Sequence, residues 1–247
     1  MKTTNKILLG LLIVCMLAIT VFMVIIRVQL KSAVFVEPSG NVITSRVEMP
    51  VFHGIDASGK LNMIIRQGNN HDVIIRADDN LMEMIRTDVK DEILNVSFRG
   101  WSGKNATIEV EVNLAEIELL KAMAGVKIHS EGTISGHSLR HVVNAGAESR
   151  LEIQFDFLEL ELNGGGNANL RGFVREMKAR NNAGGTIEAS GLETEKLSIS
   201  ANAGSVSHVF VTGELDVKAS TGSVVNYTGD PLVKNITSGS GASVNAR

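Results

Sequence analysis

A short motif returns down the second half of this chain at an almost constant interval. It reads Asn144-Ala145-Gly146, Asn163-Gly164-Gly165, Asn182-Ala183-Gly184 and Asn202-Ala203-Gly204. Looser copies stand at Met123-Ala124-Gly125, Ser220-Thr221-Gly222 and Gly239-Ser240-Gly241. The seven glycines are separated by 21, 19, 19, 20, 18 and 19 residues. A fixed period near twenty means one structural unit stacked on copies of itself, each burying the face its neighbour leaves open.

The residues before each turn define the unit. Five, three and one positions ahead of it stand Leu139, His141, Val143; Leu158, Leu160, Leu162; Met177, Ala179, Asn181; Leu197, Ile199, Ala201; and Leu215, Val217, Ala219. Between them lie Arg140, Val142; Glu159, Glu161; Lys178, Arg180; Ser198, Ser200; and Asp216, Lys218. Alternation with period two predicts a strand buried on one face; His141, Val142 and Asn181 interrupt it. A second small or polar break follows about ten residues on, at Glu131-Gly132, Arg171-Gly172, Ser190-Gly191, Thr212-Gly213 and Thr228-Gly229.

One unit therefore reads strand, turn, short strand, turn. The expected fold is all-β, a right-handed parallel β-helix of about seven rungs stacked ~4.8 Å apart, with a body of roughly 30–35 Å. Stacking would align the turn residues Asn144, Gly146, Asn163, Gly165, Asn182, Gly184, Asn202, Gly204, Gly222 and Gly241 in a column. The Asn amides could then bond along the axis as a ladder, and Asn tolerates left-handed backbone better than most residues. Asn-Gly also marks ordinary hairpins, so an antiparallel barrel is the competing architecture.

The amino terminus is of another kind. Lys2 and Lys6 precede Ile7–Ile26, twenty residues without a charge, closed by Arg27. Twenty apolar residues span a bilayer as a helix, and no small-x-small cleavage site follows, which favours an uncleaved signal anchor over a cleaved signal peptide. Residues 1–27 are expected to anchor the chain in the cytoplasmic membrane. The slight excess of positive charge before the span places the β domain on the extracytoplasmic side. Residues 28–46 read as a stalk, 47–115 as capping strands and 116–247 as the repeat rungs. Asp78-Asp79-Asn80 is read as the cap of a short helix over Leu81–Arg86. Cys15 is the only cysteine and falls in the apolar span, so no disulfide framework is expected.

With Gly54-Ile55-Asp56-Ala57-Ser58-Gly59, Arg76-Ala77-Asp78-Asp79-Asn80-Leu81 and the small-residue turns after them, residues 47–245 resemble the bacterial head GIN domain family. The Ala-Asp-x-Asn-Leu stretch of that family matches Ala77–Leu81, and Ser238–Ser243 is the nearest copy of its Ser-Gly-Ala-Ser turns. Asp56 stands where the Gly-Ile-Asn triplet has Asn. The resemblance implies a β-helical envelope protein related to autotransporter adhesin heads. It implies no catalytic residues.

Searches for chemistry return little. The net charge is −3, with no basic stripe, which argues against a nucleic-acid partner. His137 and His141 are four apart, a zinc spacing only on a helix, and the local pattern is a strand. Glu159 and Glu161 are the nearest to a glycosidase pair, but they alternate on one outward face. Gly164-Gly165-Gly166 precedes no helix and so is no phosphate loop. Only Trp101 and Tyr227 could offer a sugar an aromatic platform. No cofactor is expected. Three functions remain open: a non-enzymatic, membrane-anchored surface binder contacting a glycan or protein surface, a scaffold that associates with its own copies, and a polysaccharide-active enzyme.

Overall fold

The computed structural model describes residues 12–23, 35–103 and 105–247. Residues 12–23 form a helix, α1, exposed along its whole length. The remaining ends of the predicted span, 7–11 and 24–26, lie outside the described residues. Among those described, no helix is long and apolar enough to cross a membrane.

The rest is a β-solenoid of about seven turns. In chain order the strands are β1 (Phe35–Val36), β2 (Val42–Glu48), β3 (Gly54–Ser58), β4 (Asn62–Gln67), β5 (Asp72–Asp78), β6 (Ile85–Lys90), β7 (Ile93–Phe98), β8 (Trp101–Ser102), β9 (Ile108–Leu114) and β10 (Leu119–Met123). Five long strands follow, β11 (Lys127–Asn144), β12 (Glu148–Asn163), β13 (Asn167–Asn181), β14 (Thr186–Ala201) and β15 (Val206–Ala219). The last coil holds β16 (Val224–Thr228), β17 (Val233–Ser238) and β18 (Ser243–Ala246). A single helical turn, α2 (Asp79–Met82), follows β5.

From β10 onward every neighbouring pair is parallel. This excludes the antiparallel barrel. Successive long strands lie one on the next, Leu139 beside Leu158, Leu158 beside Met177, Met177 beside Leu197 and Leu197 beside Leu215. The side chains five, three and one positions ahead of each turn are all buried, including His141 and Asn181 at 0% exposure. One column of nine parallel strands, β7, β3, β10, β11, β12, β13, β14, β15 and β17, runs the length of the stack. Its eight intervals at ~4.8 Å give a body of about 38 Å.

The second turn expected in each unit interrupts the strand only in the last coil, between β16 and β17. In β11 to β15 the chain stays in β conformation through this point, and in β14 the buried parity changes. In β14, Ile187 and Ala189 point inward, then Leu192 and Thr194, then Leu197, Ile199 and Ala201. In that coil the two changes of parity mark two corners and divide it into three sides, closed by the Asn-x-Gly turn. Register shifts against neighbouring strands fall at these corners, between Asn169 and Arg171 and between Ala189 and Glu193. A bulge rounds a corner without breaking the ladder.

The beginning of the stack is not in chain order. The coil made by β3 and β4 lies between the coil of β7 and β9 on one side and that of β10 and β11 on the other. At the outer end β5 pairs antiparallel with β9, β2 antiparallel with β5, and β6 antiparallel with β7. Arg66 of β4 stitches this arrangement: its guanidinium bonds Glu111 of β9, buried at 7% exposure, and Glu131 of β11. Those two carboxylates raise the guanidinium pKa above its ordinary value.

Two local expectations are corrected here. Among the described residues strand structure begins at Phe35, and β2 (Val42–Glu48) starts within the segment read as stalk, 28–46. The helix over Leu81–Arg86 shrinks to α2, because Ile85, Thr87 and Val89 alternate as a strand against β7. Asp78 makes no helix cap. Its carboxylate accepts from the Gly40 and Thr107 amides, while Asn80 donates to the Glu37 carbonyl. The Ala77–Leu81 motif thus fastens residues 37–41 to the body.

Candidate functional site

Two surfaces gather the repeated polar residues: the column of turns and the flat face beside it. In the turns, both central residues take positive φ, as at Ala145 (52°) and Gly146 (71°), Ala183 (51°) and Gly184 (74°), and Ala203 (50°) and Gly204 (70°). The amide of the fourth residue returns to the carbonyl of the first, Ala147 to Asn144 at 3.2 Å and Gly185 to Asn182 at 3.2 Å. This is type I′ geometry. The left-handed residues are Ala and Gly, not Asn.

The Asn has another task. Asn163 Nδ2 donates to Asn144 Oδ1 at 3.3 Å, Asn182 Nδ2 to Asn163 Oδ1 at 3.3 Å, and Asn202 Nδ2 to Asn182 Oδ1 at 3.0 Å. The Ser220 hydroxyl bonds Asn202 Oδ1 and continues the line. A backbone ladder runs beside it, with Gly146, Gly165, Gly184, Gly204 and Gly222 each donating to a carbonyl one coil on. Gly241 takes positive φ in the last turn. The column is a spine along the rod, and its amides are mutually engaged.

An alanine held left-handed costs about 1–2 kcal/mol relative to its relaxed backbone, against an entropy cost of roughly 0.4–1 kcal/mol for glycine in the unfolded chain. Gly164 already occupies this place in its own turn, at φ 57°. Replacing Ala145, Ala183 and Ala203 together by Gly should therefore stabilise the fold by about 1–2 kcal/mol. Urea melts followed by circular dichroism would read it, and a lower midpoint would refute the reading.

The flat face carries the outward residues just after each turn. Across adjacent coils His129, Arg150, Asn169, Glu188, His208, Asn226 and Asn245 lie side by side in register. A shallow groove of about 930 Å3 crosses the part lined by Lys127, His129, Glu148, Arg150, Asn169 and Arg171. Its carboxylates have partners: Glu148 faces Lys127 at 3.5 Å, Glu152 accepts from the Thr133 hydroxyl at 2.8 Å, and Glu188 lies 3.8 Å from His208.

The candidates for chemistry separate rather than converge. His137 is exposed and bonds Asp156 at 2.8 Å, whereas His141 is buried. His141 Nδ1 donates to the Leu120 carbonyl at 3.0 Å and Nε2 accepts from the Ser149 hydroxyl at 2.8 Å. Burial pushes its pKa down to about 4. Glu159 lies between Arg140 (3.8 Å) and Arg180 (3.4 Å), and Arg140 also reaches Glu161 (3.6 Å). They are rungs of an ion-pair ladder on the outer wall. Tyr227 is 8% exposed and offers no platform. Trp101 pairs through its backbone with Phe35. Among the described residues no cluster of three His, Cys, Asp or Glu could hold a metal ion. The groove was not found from sequence, because its residues are ordinary polar positions until coils bring them together.

The same rod occurs in solved structures. A "putative adhesin" from Bacteroides fragilis NCTC 9343 superposes with a TM-score of 0.79 at 18% identity, covering 86% of this chain and 100% of that one. A "putative adhesin" from Parabacteroides merdae ATCC 43184 gives 0.69 at 18% identity, covering 87% and 100%. A "putative lipid binding protein" from Parabacteroides distasonis ATCC 8503 gives 0.66 at 15% identity, covering 87% and 100%. At these identities the likeness concerns the fold alone. No curated protein matches the chain. Residues 51–231 match the family described as "Putative auto-transporter adhesin, head GIN domain", and the chain belongs to that family.

Proposed function

We propose that this chain is a non-enzymatic, membrane-anchored envelope protein that works as an adhesin-like surface binder. The observation that carries the reading is a rod whose conspicuous polar surface is a long flat face rather than an enclosed cleft. Such a face binds through many weak contacts, where enzymes and small-molecule receptors use concave pockets. Membership of a family named for adhesin heads supports the same reading. The ion pairs that tie Glu159 and Glu161 to Arg140 and Arg180 speak against the enzyme reading, since a glycosidase pair must converge on a bound sugar.

The anchor is residues 7–26. Its described part, α1, is a helix with Leu12, Val14, Leu17, Ile19 and Phe22 each more than half exposed among the described residues. Apolar surface of that extent calls for a cover, and the charge-free run between Lys6 and Arg27 has the length of a bilayer span. The cytoplasmic membrane supplies that cover, with the solenoid on the extracytoplasmic side.

Two measurements test this function. The full chain should stay in the membrane pellet after alkaline carbonate washing, and a chain lacking residues 7–26 should move to the supernatant. Cells lacking the gene should attach to a glycan-coated or host-cell surface several-fold less than complemented cells. Equal attachment removes the adhesin role, and carbonate release of the full chain removes the anchor.

A further inference from the structure

The groove on the flat face holds two guanidiniums without a partner among the described residues, in a lining of four carboxylates and three cationic side chains. Among the described residues, neither Arg150 nor Arg171 makes a salt bridge or a side-chain hydrogen bond, and both are exposed. The Asn167 and Asn169 amides and the His129 ring beside them also make no side-chain hydrogen bond among the described residues, Asn169 being half-buried. The carboxylates around them, Glu109, Glu148, Glu152 and Glu188, already face Arg76, Lys127, Thr133 and His208.

From these two unpartnered guanidiniums we infer that the groove is a binding site for a linear glycan bearing carboxylates, with Arg150 and Arg171 as its anion contacts. The inference deepens the surface-binding reading above and rests on it. Arg150 lies beside Asn169, and Arg171 is one coil up and two residues along, beside Glu152. Strand geometry sets their Cα atoms about 8 Å apart, with Arg171 at the corner where the wall ends. A guanidinium matches a carboxylate with two parallel bonds, so the two arginines would hold two acid groups along one extended chain. Asn167 and Asn169 offer amides to the intervening hydroxyls. The second oxygens of Glu152 and Glu188 accept from hydroxyls, which a sugar has in excess. A poly(glycerol phosphate) chain brings one hydroxyl per charge and a 1,4-linked uronate two, so the Asn amides and the spare carboxylate oxygens favour the uronate chain. Stacking platforms are missing from the groove lining, so each contact is weak and the affinity must come from repetition along the polymer.

The test uses the full chain in nanodiscs of neutral lipid, with alginate, neutral dextran and poly(glycerol phosphate) as probes in biolayer interferometry. Alginate should bind, with affinity falling as salt rises, and dextran should not. The double variant Arg150→Gln/Arg171→Gln should weaken alginate binding at least tenfold. Arg86→Gln/Lys90→Gln removes the same charge from β6 at the end of the stack and should change it less than twofold. The site assignment is overturned if dextran binds equally well, if poly(glycerol phosphate) binds more tightly, or if both double variants behave alike. Should alginate fail while cells still attach through the protein, the ligand class is wrong and the surface role stands. Should alginate bind while attachment is unchanged by the gene, the site stands and the adhesin role falls.

Discussion

Gly172→Ala should destabilise the protein by about 4 kcal/mol or more, the upper range for a single substitution. Gly172 sits at φ +112°, where any side chain is strained, and a Cβ there would lie 2.1 Å from the Ile153 carbonyl oxygen of the coil below. Ile153 is its register partner, and Leu192 is its partner above. The obstacle is backbone, so no rotamer change relieves it. Either the ladder between β12 and β13 opens at this corner or the corner moves, and both expose the apolar interior of two coils. A solenoid has only nearest-neighbour interfaces, so damage in a central coil weakens the stack on both sides.

Gly229 provides the comparison. Its added Cβ would meet the Val211 carbonyl oxygen at the same 2.1 Å, with φ +91°, but in the last coil described. Gly229→Ala should fray the strands after residue 224 and leave the central coils protected from hydrogen exchange. Gly172→Ala should lower protection from β12 through β14. A urea midpoint for Gly172→Ala within about 1 kcal/mol of the parent would show that the corner yields easily and that the close approach is unimportant.

How much of this was legible in the sequence depends on how local its cause is. The turns were legible because two consecutive left-handed residues admit few side chains, and that demand returns with every coil. The strand faces were legible for the same reason. His141 and Asn181 break the apolar pattern, yet both point inward where the period places them, each held by bonds its neighbours supply. The corners inside the long strands were not legible as bends, because a bulge needs no particular residue. Gly172 and Gly229 have positive φ at this corner, while Gly191 and Gly213 do not. The order of the first coils was hidden too. Whether β3 stacks on β7 or on β10 is decided by long-range pairing, and a strand's own residues carry no mark of its neighbour's direction. The groove lay furthest from view, since the freedom of Arg150 and Arg171 is a property of what stands around them in space.

His141 makes the fold sensitive to acid in a way that can be isolated. Its ring is fully buried between the Leu120 carbonyl and the Ser149 hydroxyl, and desolvation holds its pKa at about 4 against an ordinary 6.5. The carbonyl can only accept, so Nδ1 carries the proton of the neutral ring. Between pH 6.5 and pH 4 the unfolded chain binds a proton at this ring and the folded chain does not. Its contribution is therefore complete above pH 6.5, declines as pH falls, and is exhausted near pH 4. The interval corresponds to about 3 kcal/mol. Other groups titrate over part of the same range, so the parent must be compared with His141→Gln, whose amide can donate to Leu120 without taking up a proton. The variant should be less stable than the parent at pH 7.5, where the imidazole fits its site, and the two curves should converge by about 3 kcal/mol on going to pH 4. Parallel curves across that range would mean that the ring in the folded protein titrates as it does in water, and that the interior between β10 and β12 is open to solvent.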